Sequence, residues 1–168
     1  MHSENIKSLL IQYIYTHMKL AEALIIRKDL QERIYELEKR IKNNVKVQEG
    51  DEPLEDPNEL MKELHSCLKQ LEELIGRINH TNINTKNAEG LSLTQMIAKK
   101  DTLTMRIGIL RNIYKSATDI VTRYSASEIR QECVIDVKLL SKRIDDYSSR
   151  LRKLDIEIQS LNFLTELA

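Results

Sequence analysis

The sequence predicts an all-α protein: four long amphipathic helices in an antiparallel helical bundle or coiled-coil arrangement. Three observations carry this. Gly is 4 and Pro is 2 in 168 residues, too few punctuating residues for the many short connections of all-β or α/β folds. The chain is 31% charged and 41% hydrophobic, the balance of long helices that each bury one stripe. Apolar residues also recur at alternating spacings of four and three along four separate stretches, the period of a helix face and not of a strand.

The first stretch runs from about Lys19 to Val47, with Ala23, Arg27, Leu30, Ile34, Leu37, Ile41 and Asn44 on its seam. The second runs from about Pro57 to Thr85, and Leu60, Leu64, Cys67, Leu71, Leu74 and Ile78 keep the repeat unbroken. Asp56 is its expected N-cap, Pro57 takes the first helical position, and Glu59 completes a capping box. The third runs from about Leu93 to Val121 on Met96, Leu103, Ile107, Leu110, Tyr114, Ala117 and Val121, with Lys100 as the polar member. The fourth runs from about Val137 to Leu161 on Leu140, Ile144, Tyr147, Leu151, Leu154, Ile158 and Leu161, and Asp136 caps it. At 1.5 Å per residue each helix is about 40–45 Å long, a length that packs side by side. Short connections over 48–56 and 86–91 make antiparallel neighbours, while the third connection, about 122–136, is longer and partly alternating. Residues 18–168 are read as a single helical bundle domain. Residues 1–17 are read as an N-terminal extension, either an upstream reading of the start site or a loosely attached helix, with Met18 as the functional start.

Charge and cysteine usage limit the function classes. Lys plus Arg and Asp plus Glu are both 26, so the chain lacks the net positive charge of a nucleic-acid binder. No apolar run approaches the ~18 residues of a membrane span, and the N-terminus lacks the basic region and cleavage site of a signal peptide. Two cysteines, Cys67 and Cys133, are no disulfide framework, and a cytoplasmic location is expected. There is no phosphate-cradling glycine loop, dinucleotide fingerprint, nucleophile elbow or Glu-x-x-His pair, so no cofactor, metal or catalytic residue is assigned. The acidic turn with Glu49, Asp51, Glu52, Glu55 and Asp56 offers oxygen ligands for Ca²⁺ or Mg²⁺, but its spacing is not that of an EF-hand, and a solvated turn explains it as well.

The best candidate site is polar. An up-down-up-down order puts the starts of helices one and three with the finishes of helices two and four. There the second seam gives way to Asn79-His80-Thr81-Asn82. A tight hairpin brings this segment beside Arg27 and Glu22, so Glu22, Arg27, Asn79, Thr81 and Asn82 form a candidate ligand-binding set, with Arg27, Asn79 and Asn82 hydrogen-bonded between two helices. The preferred reading of these residues is structural, a buried polar cluster that fixes register or oligomeric state, or simple capping; the ligand site is the alternative.

Several dispersed segments, Met18-Lys-Leu-Ala-Glu-Ala-Leu, Val47-Gln-Glu-Gly with Glu55-Asp56-Pro57, Ile78-Asn79-x-Thr81-Asn82, Arg123-Tyr124-Ser125-x-Ser127-Glu128-Ile129 and Asn162-Phe163-x-Thr165-Glu166, resemble the septicolysin-like family of small all-helical bacterial proteins of unestablished function. The resemblance covers about 18–167 and implies an all-helical fold; cytolysin-like activity is implied only by the family's name. From the residues themselves the expected role is that of a non-enzymatic protein that self-associates and serves as a structural element or adaptor. Outward apolar residues Leu68, Ile75, Ile109, Ile113 and Ile156 motivate the expected homo-oligomer. The alternative is a small-ligand or enzymatic site at the polar end.

Overall fold

A computed structural model describes residues 18–119 and 132–168. Four helices follow in order: α1 (Leu20–Asn44), α2 (Pro57–Asn84), α3 (Leu93–Thr118) and α4 (Val137–Leu164). Among the described residues there is no strand beyond two isolated bridges, Lys19 with Glu166 and Lys86 with Ser92. The expected all-α class of four long helices is what the chain adopts. The proposed extension 1–17 and most of the third connection, with Val121, Arg123 and Tyr124, lie outside the described residues.

The chain forms two compact units. The first, described from residue 18 on, runs to Leu93 and takes in Ser160–Ala168; the second is Thr94–Gln159. In the first unit α1 and α2 pair as an antiparallel hairpin. Its core follows the heptad closely: Ala23, Leu30, Leu37 and Asn44 on α1, and Leu60, Cys67, Leu74 and Thr81 on α2, are all buried. The second column of the seam, Arg27, Ile34 and Ile41 with Leu64 and Leu71, is only half-buried. Thus along the middle of the hairpin each helix buries every seventh residue fully and the intervening seam residue in part, while at the polar end Leu20 and Ile78 of the second column are buried too.

In the second unit, Lys100 of α3 is ion-paired with Asp155 of α4, and the Arg106 guanidinium lies 5.0 Å from the Tyr147 ring centroid. These two contacts run in opposite directions along the two helices, which are therefore antiparallel. Met96, Ile107, Leu140, Leu154 and Ile158 are the buried seam residues here. Tyr114, expected in the core, is exposed. The seam loses its cover towards the end of α3.

Local chemistry explains the helix ends. The Asp56 carboxylate accepts the Asn58 N–H at 2.8 Å, with Pro57 in the first helical turn. Glu59 does not complete the expected box and instead pairs with Lys62. The capping carboxylate lies on α1, where Glu22 Oε2 accepts the Lys19 N–H at 2.7 Å. Asp136 Oδ1 accepts the Leu139 N–H at 2.9 Å and starts α4 as expected. α1 stops at Asn44, short of Val47, because the Asn44 side chain turns the chain back: its Nδ2 donates to Arg40 O at 2.9 Å while its Oδ1 accepts the Glu55 N–H at 3.1 Å. α4 instead runs to Leu164, past the expected end at Leu161.

Candidate functional site

The polar end of the first unit is built from three pieces of chain: the start of α1, the finish of α2 and the tail that follows α4. The chain just before α1 pairs antiparallel with 165–167 through a bridge between Lys19 and Glu166. The Leu20 N–H donates to Thr165 O at 2.9 Å, and the Leu167 N–H donates to Met18 O at 2.8 Å. Lys19 Nζ adds bonds to Leu164 O at 3.3 Å and Glu166 Oε1 at 3.2 Å. The α2 finish holds the other side of the tail. Arg77 Nε donates to the main-chain oxygen of Ala168 at 3.0 Å and its Nη2 to Leu167 O at 3.4 Å. Thr81 Oγ1 donates to Arg77 O and accepts the Ala168 N–H, both at 2.9 Å. Between these rows of bonds Met18, Leu20, Ile78 and Leu167 are buried. The Leu93 N–H, at the start of α3, donates to Thr85 O at 2.9 Å in the same unit. The expected gathering of helix ends is present, and the chain's own tail is a principal occupant.

The five sequence-predicted residues fall differently. Thr81 is buried and clasps the tail. Glu22 is exposed and caps α1. Arg27 and Asn82 are half-buried and Asn79 is exposed. Among the described residues no hydrogen bond joins Arg27, Asn79 and Asn82. Sequence reasoning passed over Arg77 as a tail clamp, and it did not foresee the tail at all. A docked tail of four residues has no periodicity to detect; the nearest signal was the polar break after Ile78, which signals its receiving surface.

The opposite end of the hairpin is organised by charge. Arg40 makes a two-pronged contact to Glu55, with Nε 3.0 Å from Oε2, and this hydrogen bond, together with the guanidinium charge, holds the Glu55 carboxyl below its ordinary value. Asp56 is committed to its cap. Of the acidic turn, this leaves Glu49, Asp51 and Glu52 exposed and unpaired. Gly50, at φ +94°, makes the turn there, a backbone conformation that side chains with a Cβ rarely adopt. Among the described residues no three His, Cys, Asp or Glu side chains converge as a metal centre requires, and no helix is long and apolar enough to cross a membrane. Cys67 is a free, buried thiol and Cys133 a free, exposed one.

Comparison with known proteins places this fold in a family. Residues 27–167 match the model of a family of unknown function, DUF6847. The chain is also similar to a functionally unknown conserved protein from Corynebacterium diphtheriae, known from its crystal structure. The two share 36% sequence identity and a TM-score of 0.84, covering 90% of this chain and 99% of that one. No curated protein matches the chain. The resemblance to the septicolysin-like family is corrected by the family match, and nothing in these comparisons points to that family. The physical reason lies in the residues that suggested it. Asp56 and Pro57 start a helix, Ile78 and Thr81 fill a hairpin core, and Glu22 caps a helix start. Such positions recur in long helical hairpins, so they report the fold and not the family. The cytolysin-like activity rested on that name and goes with it. The chain belongs to DUF6847, a family of unknown function, over nearly its whole length.

Proposed function

We propose that the protein is a non-enzymatic, cytoplasmic helical protein that self-associates and serves as a structural element or adaptor. The observation that supports this is a second apolar row on α2. Met61, Leu68 and Ile75 recur every seventh residue, and they are 53%, 47% and 38% exposed. They stand beside half-buried Leu64 and Leu71, so the hairpin carries a continuous apolar flank outside its own core. All five outward residues that motivated a homo-oligomer, Leu68, Ile75, Ile109, Ile113 and Ile156, are exposed. Long helices with such flanks bury them against further helices. Two free cysteines, one of them on the surface, fit a reducing compartment.

A ligand site at Glu22, Arg27, Asn79, Thr81 and Asn82 has weaker support, since the Thr81 hydroxyl and the Glu22 carboxylate are already engaged by the chain. Sedimentation at micromolar concentration tests the proposal. The expected species is a dimer or larger; a single species near 19.6 kDa overturns it.

A further inference from the structure

The second unit carries a surface unlike anything on the first. α3 is apolar on two opposing faces. One is its seam; the other is a stripe of Met105, Ile109 and Ile113, each four residues from the next, which are 68%, 53% and 43% exposed. Residues four apart lie on one face, so these three form a single row. Arg106 borders the row, whereas Arg111 and Lys115 lie further round the helix, Arg111 nearer the seam. From Thr102 to Thr118 there is no Asp or Glu. Arg150 of α4 stacks over the same Tyr147 ring as Arg106, its guanidinium 5.6 Å from the centroid. Two guanidiniums thus share one ring, and Arg106, Arg111, Lys115 and Arg150 make no ion pair with any carboxylate among the described residues. An apolar row bordered by uncompensated cations calls for a partner with an apolar centre and carboxylates around it.

The chain itself carries that partner's chemistry. Leu54, at the tip of the connection between α1 and α2, is 98% exposed. Glu49, Asp51 and Glu52 precede it, all exposed and unpaired. We infer that the 49–54 turn of one copy docks on the outer face of α3 of a second copy, Leu54 against Met105, Ile109 and Ile113, with its carboxylates facing Arg106 and Arg150. This rests on the self-association proposed above and gives it a contact. Each copy has one turn and one face, so a two-fold arrangement makes the contact twice, and a head-to-tail one makes it repeatedly.

The test is a charge exchange on the full chain. A turn variant carries Glu49→Lys, Asp51→Lys and Glu52→Lys; a face variant carries Arg106→Glu and Arg150→Glu. All five side chains are exposed and in no ion pair among the described residues, and the face variant gives up only the contacts with the Tyr147 ring, so circular dichroism and thermal unfolding should stay close to those of the unaltered chain. In sedimentation each variant alone should associate at least tenfold more weakly. An equimolar mixture should associate again, because reversed turn meets reversed face, and added salt should weaken the native contact. Leu54→Asn, which leaves every charge in place, should also weaken it. If the native chain is oligomeric and both variants are equally so, the contact is wrong while self-association stands. If the native chain is a monomer, the reading beneath it fails. Failure of the mixture to associate overturns the pairing of turn with face. Binding of the native chain to phosphatidylserine vesicles that is lost in the face variant but kept in the turn variant would assign the face to a lipid surface and overturn the second copy as its occupant.

Discussion

Among the described residues, seven ion pairs lie in the first unit and one in the second, although both are built from long antiparallel helices. The difference begins in the sequence. α1 and α2 set acids and bases three or four residues apart, as in Lys28 with Glu32 and Lys62 with Glu59, and add pairs across the hairpin, as in Arg33 with Glu63. α3 has cations and almost no acids to meet them. Exposed pairs of this kind add little to stability, about 0–1 kcal/mol each. What the comparison teaches is therefore about fields and not about folding energy. The hairpin cancels much of its charge at short range, whereas α3 leaves its charge available at a distance.

The units also differ in how completely their seams are covered, and substitution sharpens that contrast most. Ile78→Ala empties a fully buried site in the first unit and should cost about 2–5 kcal/mol in urea unfolding. Tyr114→Ala, on the corresponding kind of seam position in α3 but exposed, should cost about 1 kcal/mol or less. Equal losses at the two positions would break the comparison.

A smaller effect is expected at the hairpin's far end. Asn44→Ala leaves the Glu55 N–H without its partner, while the Arg40 carbonyl keeps its helix bond, a loss of about 1–3 kcal/mol. Hydrogen exchange at the Glu55 amide should rise with it; unchanged protection there would show that the turn holds without the asparagine.

The smallest effect is the pH dependence of the Arg40–Glu55 pair. The folded-state pKa of Glu55 is lowered, chiefly by its hydrogen bond to Arg40. A depressed carboxylate contributes stability that is present above its unfolded value and is lost as pH falls through the folded one. Native protein should thus exceed Glu55→Gln in stability at neutral pH, and the gap should close on acidification below the ordinary carboxylate range. A gap that widens in acid would contradict the sign.

Most of the fold was legible because heptads leave a plain record. Three helix starts, at Pro57, Leu93 and Val137, lie where seam and cap residues placed them, and the columns at 23, 30, 37 and 60, 67, 74 are buried as their spacing required. Asn44 was legible as a seam member but not as a clamp, since its partners on Arg40 and Glu55 are backbone groups with no side-chain signature. Arg27 misled for a related reason. A seam position implied burial, but the column it shares with Ile34 and Ile41 is half-open, so its guanidinium needs no enclosed acceptor. The outer row of α3 was read only in part, as Ile109 and Ile113, because one helix with apolar residues on opposing faces shows no single periodic stripe.

The clasp between the two ends of the first unit has a consequence for how the chain is made. Lys19 and Glu166 are separated by 147 positions, and the ribosome delivers them at opposite ends of this stretch of synthesis. The α1–α2 hairpin is local and can zip early. Its polar end lacks the cover of 165–168 until they emerge, leaving Met18, Leu20 and Ile78 without that contact until then. Contacts of such long range close slowly, and apolar surface that waits for them is what chaperones bind. The nascent hairpin therefore carries apolar surface that waits for a distant segment of the chain to cover it.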